Sequence, residues 1–266
     1  MKTVIFYSPR GGTGRSLCLA NCAVSLSQAG CKVLVLDMDI EAGGLDIIFK
    51  GSRAITPQVS SPPKGLAKCL ITQEMKGLKD AIEDLKALDF YKSVGAGGDL
   101  HLIPIYICPD LMDQIQRKWS RSEEFAITLR QLKETIVGDY DYDFMLVDLP
   151  TGFNPIRENF IKMSDLAVVL SRPNMQGAYG AKLNLDEFAE FGLKTIFALS
   201  CVPSPAKPKT KKSINEFKKY AGIVDIDVII PLDNVMAFFE DIPVITRPAT
   251  DVAKAYKKIA EKIREV

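Results

Sequence analysis

An apolar segment that runs directly into a glycine-rich loop constrains the fold of this chain more than any other feature. Residues 4–7 are VIFY, and residues 8–16, here called the glycine loop, are SPRGGTGRS. A buried strand, closely spaced glycines and a hydroxyl residue that opens a helix form a cradle for phosphate, because backbone N–H groups and the helix dipole point at the anion. The pattern predicts a strand over 3–7, a helix over 15–29 and a nucleoside triphosphate as ligand.

The glycine loop departs from the usual phosphate-binding pattern at two positions. In G-x-x-x-x-G-K-[ST] the first glycine would be residue 9 and the lysine residue 15, whereas this chain has Pro9 and Arg15. Arginine keeps the positive charge and can donate two parallel hydrogen bonds to phosphate, but its planar group is larger than an ammonium. We therefore expect nucleotide binding to tolerate this loop better than turnover does. The alternative is a glycine turn that binds no ligand.

Two further apolar segments end in aspartate. Residues 33–39 are VLVLDMD and residues 143–149 are DFMLVDL. The carboxyl ends of parallel strands meet at one edge of a sheet, so we expect Ser16, Asp39 and Asp148 to converge. A hydroxyl and carboxylates around Mg²⁺ suit phosphoryl chemistry. For any single aspartate of this kind the alternative is a helix cap or a turn.

A dinucleotide-binding fold is the main competing interpretation of the glycine loop. That fold requires G-x-G-x-x-G, and Gly12 and Gly14 supply only the first two glycines because residue 17 is leucine. It also gives no reason for two arginines and a serine in the same loop. The sequence therefore favours a triphosphate over a dinucleotide.

The glycine loop and the segment after the second strand together resemble the ParA/MinD family of P-loop ATPases. One branch of that family has the loop K-G-G-V-G-R-[ST], a deviant Walker A motif, followed by D-x-D-x-E-A-x-G-L. In this chain residues 10–16 are RGGTGRS and residues 37–45 are DMDIEAGGL. The resemblance continues through residues 170–180 and 231–244, so it covers the whole chain.

The resemblance implies a role for each matching residue. Arg10 would reach across a dimer to the partner's phosphates, Arg15 would hold the β- and γ-phosphates, and Asp39 would position the attacking water. Ser16, Asp39 and Asp148 would hold Mg²⁺, and residues 148–152, here called the switch segment, would sense the γ-phosphate. The residues expected at the nucleotide are Arg10, Gly11, Gly12, Thr13, Gly14, Arg15, Ser16, Leu17 and Pro231. Many family members contact the adenine base through an asparagine after the sixth strand. This chain lacks that asparagine, so the resemblance does not assign the base of the nucleotide.

The expected architecture is one α/β domain over residues 1–266, with a doubly wound, mainly parallel sheet and helices on both faces. A chain with 47% hydrophobic residues can build such a core. A loop rich in Ser and Pro is expected over residues 51–64. The remaining predicted strands are 32–37, 100–105, 143–148, 165–170, 194–199 and 226–230, and the remaining predicted helices are 123–137, 177–191 and 249–264.

The resemblance implies a slow ATPase switch that dimerises with ATP between its subunits and responds to an activating protein partner. One alternative is a nucleotide-gated sensor with little or no hydrolysis, because both phosphate-binding lysines are arginines. Another is a biosynthetic enzyme of the dethiobiotin synthetase type, for which we identify no substrate pocket.

Composition bears on partners and location. The net charge of +1 argues against general attraction to nucleic acid, although six lysines lie within residues 207–219 and could neutralise DNA phosphates. The more ordinary interpretation of these lysines is a solvated face. No apolar run is long enough to span a membrane, the last helix lacks the character of a membrane anchor, and the six cysteines show no metal-binding spacing. We therefore expect a cytoplasmic protein without membrane or iron–sulfur binding.

Overall fold

A computed structural model describes residues 1–51, 65–88, 91, 97–105, 113–115, 117, 122–223, 225–236 and 242–266. The Ser/Pro-rich loop expected over 51–64 lies outside these residues except for Gly51.

The described residues form one sheet of eight strands in the order β3-β4-β2-β5-β1-β6-β7-β8. All pairs are parallel except β3 with β4. The central strands are buried along their length, as expected of parallel strands covered by helices on both faces. The predicted doubly wound fold is confirmed. The strands are β1 Lys2–Tyr7, β2 Val33–Asp37, β3 Glu83–Asp84, β4 Leu100–Ile103, β5 Phe144–Asp148, β6 Leu166–Ser171, β7 Lys194–Val202 and β8 Val228–Pro231.

Nine α-helices are present in the described part of the chain. They are α1 Arg15–Gln28, α2 Leu45–Lys50, α3 Gly65–Thr72, α4 Ser122–Asp139, α5 Pro155–Met163, α6 Met175–Glu190, α7 Pro208–Ala221, α8 Pro243–Thr246 and α9 Asp251–Arg264.

The predicted elements all occur, with ends displaced by at most three residues. The largest displacement is in β7, which continues to Val202 because its pairing with β8 resumes after an irregularity between Leu199 and Val202. Strand β3 and helices α2, α3, α5, α7 and α8 are not among the predicted elements. Of these, α5 has a recognisable signal at its start. Asn154 caps the helix by accepting a hydrogen bond from the Arg157 N–H, and Pro155 occupies the first turn.

Each face of the sheet has its own apolar core. Helices α1 and α9 cover one face, and the apolar stripe of α9 is buried there as expected, with Val252, Tyr256, Ile259 and Ile263 at most 3% exposed. Helices α4, α5, α6 and α7 contribute to the core of the other face. This arrangement leaves the carboxyl edge of the parallel strands, where the acidic residues lie, open to a ligand.

A buried arginine joins α5 to α6 on this second face. The Arg157 side chain is fully buried, and its guanidinium donates to Asn184 Oδ1 at 2.6 Å and to both carboxylate oxygens of Glu187. Its Cζ atom also lies 4.7 Å from the ring centre of Tyr7 and 4.8 Å from that of Phe153. The start of α5, only a few residues after the switch segment, is therefore anchored to both α6 and β1.

Replacing Arg157 with Met is expected to lower the free energy of unfolding by about 3 kcal/mol. The change leaves the Glu187 carboxylate without its buried cation, and removing one partner of such a pair costs that order of energy. Urea unfolding would measure it. Lys162→Met on the same helix is the matched control, because exposed Lys162 lies 5.9 Å from the Phe191 ring centre and should matter by less than about 0.5 kcal/mol. Equal losses in the two variants would contradict the anchoring role.

Candidate phosphate-binding site

The glycine loop joins β1 to α1 at the carboxyl edge of the sheet. Gly12 and Gly14 have φ angles of 70° and 78°, in the left-handed region that favours glycine. The Gly14 carbonyl accepts the N–H of Cys18 at 2.8 Å, so the first turn of α1 begins directly after the loop. Backbone N–H groups of the loop and the N-terminus of a fourteen-residue helix therefore lie side by side, as a phosphate site requires.

Arg172, which follows β6, forms hydrogen bonds with the backbone of the glycine loop. Its Nε donates to the Gly12 carbonyl at 2.9 Å, and its Nη2 donates to the same oxygen. Because that carbonyl is held by Arg172, the peptide keeps one orientation in the loop. The sequence analysis did not assign Arg172 to the site, since its partner lies 160 positions earlier in the chain.

Helix α6 also packs tightly on the loop. A Cβ atom added at Gly180 would lie 2.6 Å from the Cβ of Pro9, a distance that real side chains do not reach. The proline that replaces the first glycine of the usual pattern thus forms a contact with α6.

Three aspartates, Asp37, Asp39 and Asp148, lie together where β2 and β5 end, and we call them the acid cluster. Asp37 and Asp148 are paired in register on these neighbouring strands. The Arg15 side chain, which is 6% exposed, lies against the cluster: its Nη2 is 2.5 Å from Asp39 Oδ2 and its Nε is 2.5 Å from Asp148 Oδ1. The Ser16 hydroxyl donates to the other oxygen of Asp148 at 2.5 Å. Arg15, Ser16, Asp39 and Asp148 therefore form one connected polar network.

The electrostatics of this network follow from burial and from its charges. Burial and the charge of Asp148 raise the pKa of Asp37 well above its usual value, although Asp37 accepts the N–H groups of Leu45 and Asp39. Burial also raises the pKa of Asp148, against the opposing effect of Arg15. Burial alone would lower the pKa of Arg15, but the two carboxylates outweigh it and raise that pKa. Arg15 is consequently the cation that makes buried negative charge tolerable here.

A cavity of about 370 Å³ opens beside the network. It is bounded by residues 11–17 and by Asp39, Thr151 and Met236. Most of the residues expected at the nucleotide, including Leu17, therefore share one cavity with Asp39.

Two of the expected nucleotide contacts lie elsewhere. Arg10 lines a separate cavity of about 330 Å³ on the α6 side of the loop, with Arg172 and Asn174. Pro231, at the end of β8, lines a third cavity of about 360 Å³ with Asp233 and Thr250. The structure thus does not bring Pro231 into the loop cavity, and its contact with a base stays a prediction.

The residues present fit a Mg²⁺ ion that also binds a nucleotide. The Ser16 hydroxyl and the carboxylates of Asp39 and Asp148 are oxygen donors of the kind that Mg²⁺ prefers, and Mg²⁺ usually takes one or two carboxylates together with substrate phosphates. In the described part of the chain no group of three or more His, Cys, Asp or Glu side chains could hold a metal by itself. The donor set is therefore suited to a metal–nucleotide complex.

Comparisons with known proteins identify the family and the fold of this chain. The family model AAA_31, described as an AAA domain, matches residues 1–195. An iron–sulfur cluster carrier protein of Aquifex aeolicus is 26% identical over 97% of this chain, and the chain spans 66% of that protein's length. The septum site-determining protein MinD of Helicobacter pylori is also 26% identical, over 98% of this chain and 89% of its own length.

Solved structures show the same fold. MinD of Pyrococcus horikoshii, complexed with Mg-ADP, gives a TM-score of 0.71 at 19% identity and covers 98% of this chain and 95% of its own. Cyanthece apo McdA gives a TM-score of 0.73 at 17% identity and covers 99% of each chain.

The fold and the glycine loop define an α/β protein of the P-loop class. With the AAA_31 family match over most of its length, this chain belongs to the ParA/MinD family of P-loop ATPases. The family expected from the sequence is confirmed.

Two other expectations concern surfaces. No helix in the described residues is long and apolar enough to cross a membrane. Of the six lysines on and just before α7, five are exposed, and Lys218 lies 3.9 Å from Asp225. Binding of DNA to this surface stays a prediction.

Replacing Arg15 with Met is expected to lower the free energy of unfolding by about 3 kcal/mol at neutral pH, because Asp39 and Asp148 lose their buried cation. The folded-state pKa of Asp148, which burial already raises, should rise further above its unfolded value of about 4. A carboxyl group whose pKa is higher in the folded state does not lower the stability of the protein at a pH below its unfolded pKa. As the pH rises above that value, the folded state becomes less stable relative to the unfolded state. Urea unfolding should therefore show a larger loss at pH ~7.5 than at pH ~5.

Arg10→Met is the control for this experiment. Arg10 is exposed, lies in the same loop and has no ion pair with the acid cluster, so its loss should be below about 0.5 kcal/mol at either pH. A loss in Arg15→Met that does not change with pH would show that the acid cluster is not the cause.

Proposed function

We propose that this chain is an ATP-binding switch that forms a homodimer with ATP between its subunits and hydrolyses ATP slowly. The observation that supports the proposal most directly is the polar network of Arg15, Ser16, Asp39 and Asp148 at the wall of the loop cavity. The similarity to MinD proteins, one of which is complexed with Mg-ADP, agrees with it.

Nucleotide binding would use the loop backbone and the start of α1. The triphosphate would lie against residues 11–16, where N–H groups and the helix dipole favour negative charge. Ser16 and the carboxylates of Asp39 and Asp148 would hold Mg²⁺, which neutralises charge on the terminal phosphates when it is bound. Arg15 would leave the acid cluster and donate to the β- and γ-phosphates.

Hydrolysis would depend on Asp39. Its carboxylate lines the loop cavity, and one of its oxygens accepts the N–H of Ala42 at 3.3 Å, which orients the group. A carboxylate held in this position can orient a water for attack on the γ-phosphate. Turnover would be slow, because Arg15 must break two buried ion pairs before it reaches phosphate.

Dimerisation would use the side of the loop that carries Arg10. The Arg10 side chain is exposed and has no ion pair with a described residue, so it is available to a partner's phosphates. Nearby on α6, Met175, Tyr179 and Leu183 are 56%, 58% and 42% exposed and follow one another at helical spacing of four. An apolar stripe of this kind is suited to burial against another protein surface.

A sensor that binds ATP with little hydrolysis is the second candidate function. The observation in its favour is the ion pair between Arg15 and Asp39, because it engages the carboxylate that hydrolysis would require. Either function would act through a change in affinity for a further protein, and an activating partner remains part of the proposal.

Asp39→Ala is expected to lower ATP turnover by about a hundredfold or more, the usual order for loss of a group that handles the proton or water. It should still bind ATP and accumulate as a dimer. Phosphate release and sedimentation in ATP and in ADP would measure these properties. Glu41→Ala is the control, since Glu41 lines the same cavity outside the acid cluster and should leave turnover unchanged.

Three results would separate the candidates. Slow turnover in wild type and none in Asp39→Ala supports the switch. Binding and dimerisation without turnover in either protein identifies a sensor, and absence of nucleotide binding in both contradicts the whole proposal.

Arg172→Ala is expected to weaken ADP binding about fivefold. The change removes a charged donor from the Gly12 carbonyl, and such a bond at an exposed position contributes about 1 kcal/mol. Isothermal titration would measure the affinity. Arg130→Ala on the exposed face of α4 is the control, and an equal effect in both variants would mean that general charge, rather than loop geometry, is responsible.

A further inference from the structure

We infer that Arg15 is the internal counter-ion of the metal site, so that a divalent cation is admitted only with a nucleotide whose phosphates take over the Arg15 guanidinium. This inference rests on the proposed nucleotide site and adds the reason why metal and nucleotide must enter together.

All four oxygens of the two candidate ligand carboxylates are already acceptors. Arg15 donates to Asp148 Oδ1 and to Asp39 Oδ2, each at 2.5 Å. Ser16 donates to Asp148 Oδ2, and the Ala42 N–H donates to Asp39 Oδ1 at 3.3 Å. Each oxygen keeps a second lone pair. A cation that used it would lie beside the Arg15 guanidinium, because that one group contacts both carboxylates.

Charge makes binding unfavourable for a metal that enters alone. Arg15 and Asp148 are 6% and 2% exposed, so a guanidinium that leaves the acid cluster gives up its ion pairs inside a poorly solvated site. If Arg15 stayed, it and the metal would compete for the same oxygens as like charges. Whether Arg15 leaves or stays, binding of a free metal ion is therefore electrostatically unfavourable.

A nucleotide removes this cost by offering a second anion to Arg15. Residue 15 lies in the glycine loop that would hold the phosphates, and it lines the same cavity as residues 11–14. Rotation of one side chain would then exchange carboxylate for phosphate as the partner of Arg15, and the metal would take the carboxylate oxygens that are released. The metal–nucleotide complex, rather than the free metal, is the ligand that this site accepts.

Arginine is suited to this role because its donors are spread over a planar group. Nε bonds to one carboxylate and Nη2 to the other, so a single side chain bridges Asp39 and Asp148. A lysine would present all its protons on one nitrogen at the end of a flexible stem and is not interchangeable at a bridging position.

Binding of Mn²⁺ in the absence of nucleotide tests the inference directly. Electron paramagnetic resonance measures free Mn²⁺, and the proteins are wild type, Arg15→Met, Arg15→Gln and Arg130→Met, each with and without ADP. We expect Arg15→Met and Arg15→Gln to bind Mn²⁺ alone about tenfold or more tighter than wild type, because the metal no longer meets a buried guanidinium at the carboxylate oxygens. Arg130→Met, on the exposed face of α4, should behave as wild type. Adding Asp39→Asn to Arg15→Gln should abolish the gain, which locates the metal.

The outcomes distinguish this inference from the proposed function. No gain in a folded Arg15→Gln protein, as judged by circular dichroism, overturns the inference even if ADP promotes Mn²⁺ binding to wild type. A gain in Arg15→Gln without any effect of ADP on wild type supports the counter-ion role and contradicts the nucleotide site. If both Arg15 variants fail to fold, saturable Mn²⁺ binding to wild type without ADP overturns the inference, and binding that requires ADP supports it.

Discussion

The rest of the site depends on one interaction, the bridge that Arg15 forms between Asp39 and Asp148. Two neighbouring parallel strands end in buried carboxylates at the same edge of the sheet, and such a concentration of negative charge is unfavourable without a cation. Arg15 supplies that cation from the first position of α1. The start of the helix, the end of the glycine loop and the ends of β2 and β5 are consequently held together by a single guanidinium.

Helix α6 supports the same site from the other side of the loop. Gly180 allows it to lie against Pro9, and the preceding Arg172 fixes the Gly12 carbonyl. Further along α6, Glu187 holds Arg157 at the start of α5. One helix therefore contacts both the glycine loop and the segment that follows Asp148, which gives α6 a physical connection to the two parts of the chain that a nucleotide would touch.

Features encoded by local pattern were predictable, as was the convergence of strand ends that a parallel sheet implies, whereas individual side-chain contacts between distant segments were not. Apolar runs ending in aspartate located β2 and β5, and the strand–loop–helix pattern located Ser16 and Arg15 because strands and caps are short-range signals. The partners of Arg172 and Arg157 lie 160 and 30 positions away, so only the folded chain reveals them. The orientation of Arg15 toward the acid cluster also escaped the sequence analysis, since it follows from the burial of carboxylates rather than from the motif.

Under the proposed function Arg15 would have two sets of partners, the carboxylates that it contacts in the structure and the phosphates of a bound nucleotide, and its position would be a two-state element. A ligand shifts such an equilibrium only by its differential affinity for the two states, so a nucleotide acts through the phosphates that compete with carboxylate for this guanidinium. When Arg15 leaves Asp148, the charge balance changes at the residue from which the switch segment begins. That segment leads within a few residues to Arg157, and from there to α6 and its exposed apolar stripe. Under the proposed function, these contacts are the path by which nucleotide binding would affect the helix that carries the exposed stripe.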